Sequence, residues 1–61
     1  MPIVTVELLP GRSVEQKRKA ARDITNAVVE SLKVDASHVT VIFHEVPREN
    51  LATGGVLLAD R

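Results

Sequence analysis

The sequence has no cysteine, no tryptophan and no tyrosine, and its only aromatic residue is Phe43. Without cysteine it can form neither a disulfide nor a thiolate zinc site. Its two histidines, His38 and His44, are too few for a histidine-rich metal centre. One aromatic ring provides no stacking platform for nucleic-acid bases. Neither sign of charge is in excess: eight Lys and Arg balance eight Asp and Glu, and the cations are scattered. A nucleic-acid partner requires a basic face, so none is expected. No apolar run reaches the roughly 18 residues of a membrane span, so no membrane partner is expected. No basic stretch followed by an apolar core opens the chain, which makes the cytoplasm the default location.

What is present is a chain of 61 residues, 44% of them hydrophobic. That fraction is ordinary for a globular protein and unlike a disordered one. The length suits a single domain, 1–61. A chain of this size buries only about 60% of its unfolded surface and is marginal alone. Small domains are completed by disulfides, metals or oligomerisation. With the first two excluded, self-association is the expected completion.

Residues 2–9 read as a strand rich in β-branched side chains. Ile3, Thr5 and Glu7 share one face; Val4, Val6 and Leu8 share the other. Pro2 lacks an N–H and suits a strand's first position or an edge. Pro10-Gly11 is a turn signal. Ser13-Val14-Glu15-Gln16 fits a capping box, which predicts a helix over 14–33. Glu15 falls in the first turn, where the helix dipole favours a carboxylate. The apolar stripe is Ala20, Ala21, Ile24, Ala27, Val28, Val29 and Leu32. Lys17, Lys19, Arg22, Asp23, Asn26 and Glu30 cover the opposite arc.

Residues 35–37 form a connector, and 39–45 a second strand ended by Pro47. Val39, Val41 and Phe43 face one way; Thr40, Ile42 and His44 face the other. His44 and Glu45 resemble an acid–base pair, but strand neighbours point to opposite faces and do not cooperate directly. A loop over 46–55 ends in Gly54-Gly55, which suits a tight turn with positive φ. Residues 56–58 read as a short strand or a turn of helix. Strand, helix, strand implies a βαβ unit with parallel strands and a right-handed crossover. One helix cannot cover both faces of that sheet, and its edges invite a second chain.

Taken together, Met1-Pro2-Ile3-Val4-Thr5-Val6, Leu8-Leu9-Pro10-Gly11-Arg12-Ser13, Glu15-Gln16-Lys17, the Val-Thr-Val-Ile strand and Gly54-Gly55 form a specific pattern. It resembles the 4-oxalocrotonate tautomerase family across almost the whole chain. The resemblance implies an α+β fold: a β-α-β unit with a short C-terminal hairpin-like tail. It also implies dimers that share a four-stranded sheet, three of which form a homohexamer. Its catalytic group is an N-terminal proline exposed by loss of the initiator methionine, here Pro2.

The chemistry of that group follows from its structure. From composition alone, Pro2 reads as the start of an edge strand. Freed by removal of Met1, it would be a secondary amine. An ordinary terminal amine has a pKa of about 7.7–8.0, and a secondary amine is intrinsically more basic. Burial and nearby cations lower an amine's pKa towards neutrality, where a general base works best. Arg12 follows the first strand and, alone, reads as a loop arginine. By the resemblance it is the catalytic arginine, holding a substrate carboxylate and stabilising enolate charge.

Three positions concern substrate binding. Thr40 stands where the family's best-known members carry a second arginine, so it supplies no charge there. Arg48, in the next loop, is a candidate replacement charge or a solvated surface residue. Leu51 stands where the family often has an aromatic. It can exclude water but cannot stack on a conjugated substrate, and it equally suits a core or interface.

The expected activity is a tautomerase acting on an enol or unsaturated 2-keto acid, a small carboxylate. No metal or organic cofactor is expected, because the keto group already acidifies the carbon. Two alternatives stand beside it. One is a partner or non-catalytic subunit of a hetero-oligomer. The other is a hydratase or dehalogenase of the same superfamily, for which no water-directing carboxylate stands out.

Overall fold

Strands β1 (Ile3–Leu8) and β2 (Thr40–Glu45) run parallel in the computed structural model, which describes residues 1–61. Helix α1 (Val14–Leu32) connects them. The register pairs Ile3 with Thr40 and Leu8 with Glu45. Further hydrogen bonds extend the pairing at both ends: the Thr40 N–H donates to the Pro2 carbonyl at 3.0 Å, and the Val46 N–H to Leu8 at 2.8 Å. Alternation in both strands matches the sequence reading. Val4, Val6, Leu8, Val41 and Phe43 are half-buried, whereas Ile3, Thr5, Glu7, Thr40, Ile42 and His44 are exposed.

The capping box forms as expected. Ser13 Oγ accepts from the Gln16 N–H at 3.1 Å, and Gln16 Oε1 accepts from the Ser13 N–H at 2.9 Å. The helix ends one residue earlier than expected, because Lys33 takes a left-handed conformation, φ 56°, and caps it. Ala27 and Leu32, assigned to the apolar stripe, are exposed in the isolated chain. Lys17, assigned to the polar arc, is half-buried and pairs with Glu45 at 2.8 Å. Its long apolar stem covers surface while its ammonium reaches the sheet end.

The connector before β2 is a 3-10 turn, Ala36–His38, so the second strand begins at Thr40 instead of Val39. Asp35 caps this turn, accepting hydrogen bonds from the Ser37 hydroxyl and N–H. Ser37's hydroxyl bond, followed by its N–H bond, holds the Asp35 carboxyl below its ordinary 3.8. A folded-state pKa below the unfolded one adds stability above the unfolded value. That stability disappears as pH falls through the folded value. Asp35→Asn is therefore expected to flatten thermal stability against pH only below about pH 4.

Two short strands, β3 (Ala52–Thr53) and β4 (Val56–Leu57), form an antiparallel hairpin. Gly54 and Gly55 turn it with φ of 61° and 82°. Both alternatives read for 56–58 are present in part, because β4 is followed by a 3-10 turn, Leu58–Asp60. The hairpin does not pair with β1 or β2 in the same chain.

The chain does not enclose a core. No residue is fully buried, and the molecule measures 43 × 24 × 13 Å. Its radius of gyration is 14.7 Å, against about 10.5 Å for a compact domain of this length. Ile3 is 52% and Ile42 45% exposed on the sheet face opposite α1. No helix is long and apolar enough to cross a membrane.

Candidate active site

The parallel register divides the five candidate residues between opposite ends of the sheet. Pro2 and Thr40 meet where both strands begin, joined by the backbone hydrogen bond between them. Pro2 is half-buried, and Met1 before it is 81% exposed. Arg12, Arg48 and Leu51 lie beyond the strands' other ends. Six strand residues at about 3.3 Å each separate the two groups by about 20 Å. A small carboxylate cannot bridge that distance within one chain.

At the far end, the β1–α1 turn and the segment after β2 leave the sheet side by side. Leu9, Pro10 and Arg12 from the first, with Pro47, Arg48 and Glu49 from the second, line a cleft of about 370 Å³. Gly11 allows the turn, with φ of 128°. Arg12 makes no hydrogen bond or ion pair within the chain, so its five N–H donors are available. Arg48 is anchored from behind, where Nη2 donates to the Leu58 carbonyl at 3.3 Å. Two guanidiniums against the one carboxylate of Glu49 leave the opening net positive, which favours an anion.

A second cleft, of about 320 Å³, shares Leu9 with the first. Leu8, Val46 and Leu51 provide its other apolar surface, and Glu7 and Asn50 its polar part. Leu51 is 43% exposed, which leaves it a wall and not a core residue in the isolated chain. Glu7 also approaches His44, with Nδ1 and Oε1 3.1 Å apart. His44 and Glu45 do point to opposite faces, towards Glu7 and Lys17 respectively.

Sequence reasoning missed Glu49 beside the arginines and Leu9 as the wall shared by both clefts. Glu49 is a single loop carboxylate with no pattern to distinguish it. Leu9 was legible only as the end of a strand. Neither cleft includes Pro2.

Residues 2–61 match a family model described as tautomerase enzyme. A 2-hydroxymuconate tautomerase from Comamonas testosteroni is 39% identical over 56 residues, covering 92% of this chain and 89% of that protein. A solved 4-oxalocrotonate tautomerase homologue superposes with a TM-score of 0.92 at 39% identity, covering 100% of this chain and 97% of the other. A heterohexameric 4-oxalocrotonate tautomerase from Chloroflexus aurantiacus is 33% identical, with a TM-score of 0.87 and coverage of 98% and 97%. From the near-complete family match and these relatives, the chain belongs to the tautomerase family.

Proposed function

We propose that the protein is a cofactor-independent tautomerase whose base is the Pro2 nitrogen, exposed by removal of Met1. The family match supports the activity. The observation that supports the proline assignment is that the Pro2 carbonyl accepts the Thr40 N–H at 3.0 Å, tying the ring to the sheet end, while Met1 before it is 81% exposed. The ring fixes φ, so the nitrogen is aimed with little conformational freedom left to lose.

The reaction is an isomerisation and needs no co-reactant. Pro2 takes the hydroxyl proton of a 2-hydroxy-2-alkenoate, and the electrons move through the enol. The proton is returned to carbon, giving the 2-keto acid. Arg12 holds the carboxylate and stabilises the charge that develops on the oxygen. Leu51 excludes water, which strengthens that interaction. Thr40 lies beside the proline with a hydroxyl instead of a charge.

Because Pro2 and Arg12 lie at opposite ends of the sheet, a complete site takes one from each of two copies. Self-association as a homohexamer, a trimer of dimers, meets that requirement and covers the exposed sheet face. A second arrangement, pairing with a different chain, is favoured by the resemblance to the Chloroflexus heterohexamer. The purified chain distinguishes the two, since the homomeric reading requires it to assemble and turn over alone.

Arg12→Ala is expected to lower kcat/KM for ketonisation of a simple enol-pyruvate by about 10²–10³-fold. Arg12→Lys recovers only part of the loss, because a point charge cannot reproduce two parallel hydrogen bonds. Equal rates for the Arg12→Ala variant and the parent protein would overturn the assignment.

A further inference from the structure

We infer that the substrate is a monocarboxylate with an unbranched hydrocarbon tail. Its carboxylate lies between Arg12 and Arg48, and its tail lies along Leu9 into the Leu8–Val46–Leu51 cleft. This rests on the tautomerase reading for the chemistry, but its binding claim stands separately.

Three observations carry the inference. First, the cationic and apolar clefts are contiguous, because both use Leu9. A ligand that filled both would be charged at one end and apolar along its length. Second, Arg48 donates to the Leu58 carbonyl while Arg12 is unpaired, and with the Glu49 carboxylate in the same lining the opening keeps one net positive charge. That arrangement suits a single carboxylate, which Arg binds through parallel hydrogen bonds. Third, the apolar cleft is bordered by Glu7. A second carboxylate at the tail end would meet a like charge, and the nearby His44 ring is already directed at Glu7.

The apolar cleft, at about 320 Å³, is at the lower end of the range for small-molecule sites. It accommodates a short chain and not a lipid. Each methylene transferred from water into such surface strengthens binding by up to about fourfold. An open cleft delivers somewhat less, about two- to threefold.

The test uses the assembled wild-type protein and inert probes: butanoate, pentanoate, hexanoate and adipate, each measured by calorimetry. Affinity is expected to rise about two- to threefold per methylene from butanoate to hexanoate. Adipate, which matches hexanoate in length but is charged at both ends, is expected to bind at least about tenfold more weakly. Leu51→Asn should flatten the chain-length dependence, and Arg48→Gln should weaken all three monocarboxylates by a similar factor. Should Leu51→Asn fail to fold, the wild-type series still decides.

A flat series would overturn the inference and would mean that another copy of the chain covers the apolar cleft. Adipate binding as tightly as hexanoate would overturn it too. Pro2→Ala separates this claim from the catalytic one. If the chain-length dependence survives in that variant while wild-type protein fails to ketonise enols, the binding claim stands and the tautomerase mechanism falls.

Discussion

Replacing Pro2 by Ala is expected to lower kcat/KM for ketonisation of an enol-pyruvate by about 10²-fold or more, with the circular dichroism spectrum unchanged. The loss has two sources. Alanine at the terminus is a primary amine, less basic than the pyrrolidine nitrogen, and its backbone is free to rotate about φ. Some activity should survive, because a terminal amine still titrates near neutral pH. Protein that retains Met1 should lose more, approaching about 10⁴-fold, because an amide nitrogen is not a base. Intact-mass spectrometry of the same samples assigns each rate to a defined terminus. The fold should tolerate either change. Pro2 contributes its carbonyl to the ladder through Thr40, and that bond does not depend on the ring.

The second large effect concerns assembly. Ile42→Asp is expected to abolish the oligomer and, with it, the cooperative fold. The isolated chain has no fully buried residue, and its accessible surface is 4617 Å², whereas a compact monomer of this mass exposes about 3,900 Å². Ile3 and Ile42 lie on the sheet face that α1 does not cover. Burying a side chain of this kind fully is worth about 1.5–3 kcal/mol. An aspartate at the same place would bring an unpaired charge into the interface. Sedimentation and thermal melts across a hundredfold range of concentration check this. Wild-type Tm should rise with concentration, as expected when folding and association are coupled. A monomeric Ile42→Asp protein with a sharp, concentration-independent melt would show that the chain folds without partners.

Much of this architecture was legible residue by residue. The alternation of Ile3–Leu8 and the Ser13–Gln16 box each depend on spacings of two or three residues, which the sequence displays directly. The Gly54-Gly55 turn was similarly local. The misassigned positions depend on tertiary placement. Ala27 and Leu32 fit a helical stripe by period, yet a two-stranded sheet is too narrow to cover the whole of it. Lys17 looked polar because its charge dominates the pattern, but its ammonium finds Glu45, 28 residues away.

The candidate site was legible in its parts and not in its grouping. Pro2, Arg12, Thr40, Arg48 and Leu51 can each be named as candidates from the sequence, the first two with roles drawn from family resemblance. Their division between two sheet ends follows from parallel pairing. A parallel register places the start of β1 beside the start of β2, so Pro2 faces Thr40 and Arg12 faces Arg48. Once the strands are taken as parallel, the separation of Pro2 and Arg12 within one chain is unavoidable. Shared Leu9 and bordering Glu49 came only from the three-dimensional arrangement, because neither residue type marks a site by itself.

In the proposed mechanism the Pro2 of one copy works with the Arg12 of another. Co-assembly of Pro2→Ala and Arg12→Ala chains tests it most directly. Each variant alone should be nearly inactive. Unfolded together in equal amounts and reassembled, they should recover about a quarter of wild-type activity, the fraction of randomly assembled sites in which an intact proline meets an intact arginine. Mixed oligomers, verified by mass, that remain as inactive as either parent would contradict the claim and place both residues in the service of one chain.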